Sequence, residues 1–452
     1  MEMDTSHNRL LHGSVAKALI LFALPIIASN LVQNLYSMVD LIIVGRFSGT
    51  NSLSGVNIGG NVSMLITNVC IGLCQGGAAL IGQYLGSNNQ ERLRRAVGTL
   101  LTFLLLLALG VTALLVAFAG PMLRAMHTPA ESFSEALHYV VICGAGTVFV
   151  FGYNALAAIL RGIGDSRRPF IFVIIACCAN VVLDLVLVGA LHLGAAGAAI
   201  ATIFSQMLSM LICIVYMKKN GVLFDFRLRS FRIDGAELKL LLQFGLPTCV
   251  QNLVTSLSFV VLTTITNTLG VVASAAAGAG GKLIGFGILP CIAMTAAVSS
   301  MVAINEGAGE RARSLRATRV GLVMIYAINL AIFALIELLA GPLVGIFSSD
   351  PAVVAAGTGY ARVFAADLLF VPIMSALGGL FIGTGHTMVT SVLNVCSSLV
   401  IRVPVAALFG LALDWGLKGV GMGAPVSSLI VGIVCIVYYF SGRWKKQVIQ
   451  DL

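Results

Sequence analysis

The sequence predicts an all-α polytopic membrane protein whose twelve transmembrane helices form two pseudo-symmetric six-helix bundles. Three observations carry that expectation. Only 10% of the 452 residues are charged, 58% are hydrophobic and the mean hydropathy is +1.01, too little polar surface to coat a water-soluble globule. Runs of roughly 20 or more apolar residues, enough for a helix to cross a ~30 Å hydrocarbon core, recur along the whole chain. An ordered internal repeat divides those runs into six and six.

The first span, about 18–45, is too long for the apolar core of a secretion signal, and no small-residue cleavage motif follows it, so it stays in the membrane. The second, 52–84, ends at the polar "LGSNNQERLRR", beyond which "LLTFLLLLALGV" opens the third, 96–119. The fourth, 136–160, lies between "MHTPAES" and "LRGIGDSRRP". The fifth, 169–190, contains "NVVLDLVLV", an apolar run that carries an aspartate. The turn "HLGAAG" leads to the sixth, 195–217, which Lys218 and Lys219 end. The long polar connector 218–239 follows.

The seventh span, 240–268, repeats the Leu-Pro of the first, and the eighth, 273–304, holds the glycine-rich "GAGGKLIGFG", which suits close helix packing. The charged "EGAGERARS" precedes the ninth, 319–340, and "FSSDP" the tenth, 360–383. The loops "GTGH" and "DWGLKG" lead to the eleventh, 389–411, and the twelfth, 418–441. Residues 1–217 are thus expected to form an N-terminal lobe, 218–239 a cytoplasmic linker and 240–452 a C-terminal lobe.

The lobes resemble each other. "FALPIIASNLV" from Phe22 aligns with "FGLPTCVQNLV" from Phe244 at an offset of 222. Arg94 pairs with Arg316 at the same offset, Gly162 and Gly164 pair with Gly383 and Gly385 at 221, and Gly194 and Gly197 pair with Gly416 and Gly419 at 222. An even number of spans per copy makes the copies parallel, related by an axis along the membrane normal, as in transporters whose bundles rock about a central site. Pro25 and Pro247, each early in the first helix of its half, free backbone carbonyls there, either as a simple kink or as a mechanistic hinge.

With the N-terminus inside, 21 of the 27 Lys and Arg residues fall in inner segments and four in outer ones, so both termini are expected in the cytoplasm. The formal charge of +9 is then mostly topological, with attraction to anionic lipid headgroups and no indication of nucleic-acid binding. The ten cysteines lie in apolar segments without a C-x-x-C pair, and the six histidines lie at span ends or in loops, so neither a disulfide framework nor a metal site is expected. No P-loop, nucleophile elbow or metal motif points to an enzyme.

Ionisable residues within a span cost about 2.5–3.5 kcal/mol each on insertion scales, so they usually face a cavity or a partner. Five stand out: Asp40, Asp184, Lys282, Asp367 and Arg402. Counted from the span ends, Asp40 and Asp184 share a depth. Asn180 lies one turn before Asp184 on the same helix face, and Thr202 reaches a similar level. Two close carboxylates in a low dielectric do not both hold a charge easily, so such a nest can take up a proton or Na⁺; the alternative is a structural carboxylate satisfied by Asn or Thr. At the repeat offset Asp40 becomes Leu262 and Asp184 becomes Val405, so the acidic pair is not duplicated. Lys282, Asp367 and Arg402 are either a mutually neutralising cluster or a substrate contact.

The first-helix pattern "LPIIASNLVQNLYSMVDLIIVGRFSG", the loop "GQYLGSNNQERLRRAVG" and "LRGIGDSRRP" before a span holding Asn180 and Asp184 resemble the multidrug and toxic compound extrusion (MATE) transporters over essentially the whole chain. The acidic residues in the N-terminal lobe are closer to the DinF-like branch than to the NorM-like one. The resemblance implies H⁺ or Na⁺ coupling at Asp40, Asp184, Asn180 and Thr202, with Tyr139 and Asn154 beside them. It also implies export of amphipathic, often cationic compounds by alternating access, with no cofactor beyond the coupling ion. The NorM-like branch uses acidic residues in the C-terminal lobe, but the spacing from Asp367 to "IGTG" is longer than that site requires, and the role is not transferred. A monomer in a bacterial inner membrane is the expected setting. The competing readings are a flippase of lipid-linked glycan precursors, which needs a more basic cavity, and a non-transporting scaffold or receptor.

Overall fold

In the computed structural model, which describes residues 10–221, 224–446 and 448–449, the apolar runs are helical, because lipid offers no partner to a backbone N–H or C=O. Eleven of the helices among the described residues are long and apolar enough to cross a membrane, and a bent pair makes a twelfth. The first half contains α1 (Val15–Phe47), α2 (Gly49–Gly86), α3 (Gln90–Ala125), the bent pair α4 (Ala130–Ala145) and α5 (Thr147–Gly162), α6 (Arg167–Asp184) and α7 (Gly194–Lys219). A π-helical segment, Leu185–Ala190, continues α6. The second half contains α8 (Gly235–Thr268), α9 (Val271–Gly307), α10 (Arg311–Gly345), α11 (Pro351–Ala365), α12 (Val371–Gly383), α13 (Thr387–Val395), α14 (Arg402–Ala407), α15 (Gly416–Gly421) and α16 (Gly423–Phe440). Two π-helical segments, Cys396–Ile401 and Leu408–Ala412, flank α14.

The duplication extends to the backbone. Left-handed residues occur at Gly49 and Gly270, Asn88 and Gly309, Gly164 and Gly385, His192 and Asp414, and Gly194 and Gly416. Each pair keeps the offset of 221 or 222 seen in the sequence, so the same turns recur in both halves. The π-helical segment after Asp184 recurs at Leu408–Ala412.

The chain forms two compact units. Unit one is Ala28–Cys249; unit two combines Val250 onward with the described residues up to Ile27. The boundaries fall inside α1 and α8 rather than in the connector, because these helices of 33 and 34 residues run unbroken through Pro25 and Pro247. Each proline stands three residues before its helix passes from one unit to the other. The sharp departures from helical geometry lie elsewhere. The axis turns by 49° between α4 and α5 at Gly146, where a Cβ would lie 2.4 Å from the Ile203 side chain. In α10 the backbone leaves helical angles at Leu339, just before Pro342.

Within unit one, Leu106, Leu109 and Leu114 of α3 are at least half exposed, an apolar surface that lipid rather than water must cover. The inner side is held by close approaches and by a polar knot at the start of α8. Asp234 caps that helix by accepting from the backbone N–H groups of Ala236 and Glu237 at 2.9 and 3.2 Å. Glu237, only 2% exposed, accepts from the Tyr84 hydroxyl at 2.8 Å and from Arg92 Nε at 3.2 Å. The Arg92 guanidinium lies 5.2 Å from the centre of the Tyr84 ring. Unit two packs α12 against α9, with Gly379 and Gly383 set against Val298 and Val302, around a core that includes Met294, Met301 and Phe381.

Glu237→Ala is expected to leave the Tyr84 hydroxyl buried without its acceptor. The thermal midpoint in detergent should fall by the equivalent of roughly 1–3 kcal/mol, and Glu237→Gln should recover part of it. Equal midpoints for wild type and Glu237→Ala would refute a stabilising role for the knot.

Candidate functional site

The intramembrane carboxylates of unit one come from two helices. On α1, Asp40 follows Tyr36 by four residues, which places both on one helix face. On α6, Asp184 is the last α-helical residue, with Asn180 one turn before it and the π-helical segment directly after it. A π-helical turn shifts the register and re-aims the side chains that follow. Asp40 is 7% exposed, Asn180 1% and Asp184 0%.

Asp40 and Asp184 stand near enough to act on one another electrostatically. Tyr36 lies within reach of both carboxylates and Tyr139 within reach of Asp40. Tyr139 comes from α4 and is admitted by Gly59 of α2, where a Cβ would meet the ring at 2.5 Å. The Tyr139 ring packs in an apolar cluster with Ile43, Val44, Val56, Val188 and Ala195.

The nest has few internal partners. Among the described residues no amide, hydroxyl or cationic group donates to either oxygen of Asp184, Asp40 Oδ1 is likewise unserved, and the Asn180 amide has no partner at either end. Nor does any ion pair among the described residues include Asp40 or Asp184. Two anionic carboxylates buried without a counter-charge are costly. A shared proton, or a small hard cation held by carboxylate and amide oxygens, removes that cost.

The structure places Asp40 beside Asp184 and Tyr139 within reach of Asp40, with Asn180 one turn before Asp184. Sequence reasoning missed Tyr36, which the four-residue spacing to Asp40 signals. Of the other expected members, Asn154 donates its amide to the Val150 carbonyl at 2.8 Å, and Thr202 is half-buried on α7. The three charged residues expected in the C-terminal half do not form one cluster. Asp367 is buried at 1% exposure, beside Ser428 and within electrostatic reach of Arg402. Lys282 is exposed and sits 6.0 Å from the Phe347 ring centre, with no ion pair to Asp367.

Comparison with known proteins agrees with this plan. The MatE family model matches residues 25–186 and again 247–408, two segments separated by the repeat offset of 222. The chain is 28% identical to the probable multidrug resistance protein YoeA of Bacillus subtilis (strain 168) over 100% of both chains. It is 26% identical to the FAD transporter of Shewanella oneidensis, covering 96% of each chain. A crystal structure of MATE in complex with MaL6 superposes with a TM-score of 0.92 at 25% identity, covering 97% of this chain and 98% of the other.

Asp184→Asn keeps the shape of the side chain and removes the need to neutralise a buried carboxylate that forms no ion pair among the described residues. The thermal midpoint in detergent at neutral pH is expected to stay level or rise, by the equivalent of about 1–3 kcal/mol. A marked fall would mean that the carboxylate is a structural acceptor.

Proposed function

Because the chain belongs to the MatE family of multidrug transporters, we propose that it is a secondary active exporter of amphipathic compounds, driven by antiport of H⁺ or Na⁺ loaded at Asp40 and Asp184. The buried carboxylate pair without a counter-cation carries this reading. Loading neutralises the nest. Unloading restores repulsion between two anions in a low dielectric, a difference in free energy large enough to bias one conformation over another. Asn180 supplies an oxygen or an amide donor according to which ion is bound, while Tyr36 and Tyr139 bring phenolic hydroxyls to the pair.

Alternating access then needs a flexible connection between the units. α1 and α8 each pass from one unit to the other just beyond a proline, so Pro25 and Pro247 are natural hinge positions: each lacks the N–H that would tie it to the preceding turn. The excess of Lys and Arg in alternate loops supports cytoplasmic termini, and a bacterial inner membrane and a monomer complete the proposal. One relative is called a multidrug resistance protein and another an FAD transporter, so their names do not point to a single substrate class.

The test is efflux of a fluorescent amphipathic dye from proteoliposomes under an imposed pH or Na⁺ gradient. One of the two gradients is expected to drive efflux, and Asp40→Asn and Asp184→Asn should each lower the initial rate by roughly tenfold or more while remaining monodisperse. Wild-type rates in both variants would remove the coupling role. Absence of efflux under either gradient would remove the antiport reading.

A further inference from the structure

Unit two contains a cavity of about 320 Å³, within the size range of small-molecule sites. Glycines open one wall: α9 turns Gly278, Gly281 and Gly285 toward it, and a Cβ at any of the three would meet nothing within 4 Å. The opposite walls carry Phe259, Tyr360 and Phe364, the last two in edge contact with ring centres 5.6 Å apart. That surface suits the apolar body of an amphipath.

The polar lining has one sign. Arg402 is the charged residue among the lining residues, and no carboxylate is among them. Its Nε makes one long contact to Ser427 Oγ at 3.5 Å, and among the described residues it forms no ion pair. Asp367 lies nearby but does not line the cavity; its bond goes to Ser428. Tyr360 is within reach of the Arg402 charge. The Asn267 carbonyl is taken up by the Ser274 hydroxyl at 2.7 Å, which leaves its amide nitrogen to donate. Thr263 and Thr266 turn their hydroxyl protons back to their own helix, to the Phe259 and Leu262 carbonyls.

Arg402 thus has Asp367 within electrostatic reach but makes no direct ion pair among the described residues, and a guanidinium at membrane depth is costly unless a cavity or partner receives it. Its planar fork matches carboxylate and phosphate oxygens, whereas it repels a cation.

We propose that this cavity is a substrate subsite for the anionic group, carboxylate or phosphate, of an amphipathic compound, with Arg402 as counter-ion and Asn267 and Tyr360 as hydrogen-bond donors. The inference rests on the exporter reading and assigns it a substrate sign opposite to the cationic one that the family resemblance implies.

Two amphipaths with the same fluorophore and opposite charge test it: dansylglycine, an anion, and dansylcadaverine, a cation. Both are titrated against the full chain in zwitterionic lipid nanodiscs, with empty discs subtracted. Wild type is expected to bind dansylglycine roughly tenfold or more tightly than dansylcadaverine. Arg402→Gln should weaken dansylglycine by roughly tenfold or more and leave dansylcadaverine no weaker. Gly281→Leu, which fills the cavity from a face with free space, should weaken dansylglycine without touching Arg402, and it carries the test if Arg402→Gln does not fold. Equal or tighter binding of the cation by wild type, or dansylglycine binding indifferent to either substitution, would overturn the proposal. Binding needs no gradient: anion preference without gradient-driven efflux would sink the transport reading alone, and efflux with indifferent binding would sink the subsite alone.

Discussion

The constraint on which this structure depends is that a backbone in hydrocarbon must satisfy its own hydrogen bonds. It turns each apolar run into a helix and leaves left-handed turns to the ends of those helices and the polar connector. It also makes each departure from regular helix informative. The π-helical segments and the break at Gly146 interrupt the backbone pattern within the spans. Two of them adjoin ionisable residues: one begins directly after Asp184 and another ends directly before Arg402.

Duplication supplies the plan and divergence supplies the chemistry. The turns recur at a nearly constant offset, so both halves solve the same packing problem. The buried charges do not recur. Unit one concentrates two buried carboxylates that form no ion pair among the described residues, and unit two lines a cavity with a guanidinium and no carboxylate. Two copies of one fold thereby acquire opposite electrostatic character.

Glycine serves two opposite ends in the same molecule. At Gly59 its missing side chain admits the Tyr139 ring into contact with α2, and at Gly278, Gly281 and Gly285 it leaves space that nothing fills. The first use tightens a site and the second opens one. Composition alone cannot tell them apart, because both read as glycine in an apolar helix.

The sequence by itself determined the membrane class, the twelve spans, the repeat and the residues that break the apolar pattern, since these depend on local chemistry: hydropathy over a span, charge in a loop, spacing along one helix. Asp40 and Asp184 were legible because a charge in hydrocarbon is conspicuous. Only the tertiary structure decided that these two face each other, that Tyr36 joins them, and that Lys282 stands apart from Asp367 and Arg402. It also decided where the units divide, inside α1 and α8 rather than at the connector. Each of these depends on the rotation of one helix against another, set by the fit of many side chains across sequence-distant surfaces, which the spacing of residues along one helix does not carry.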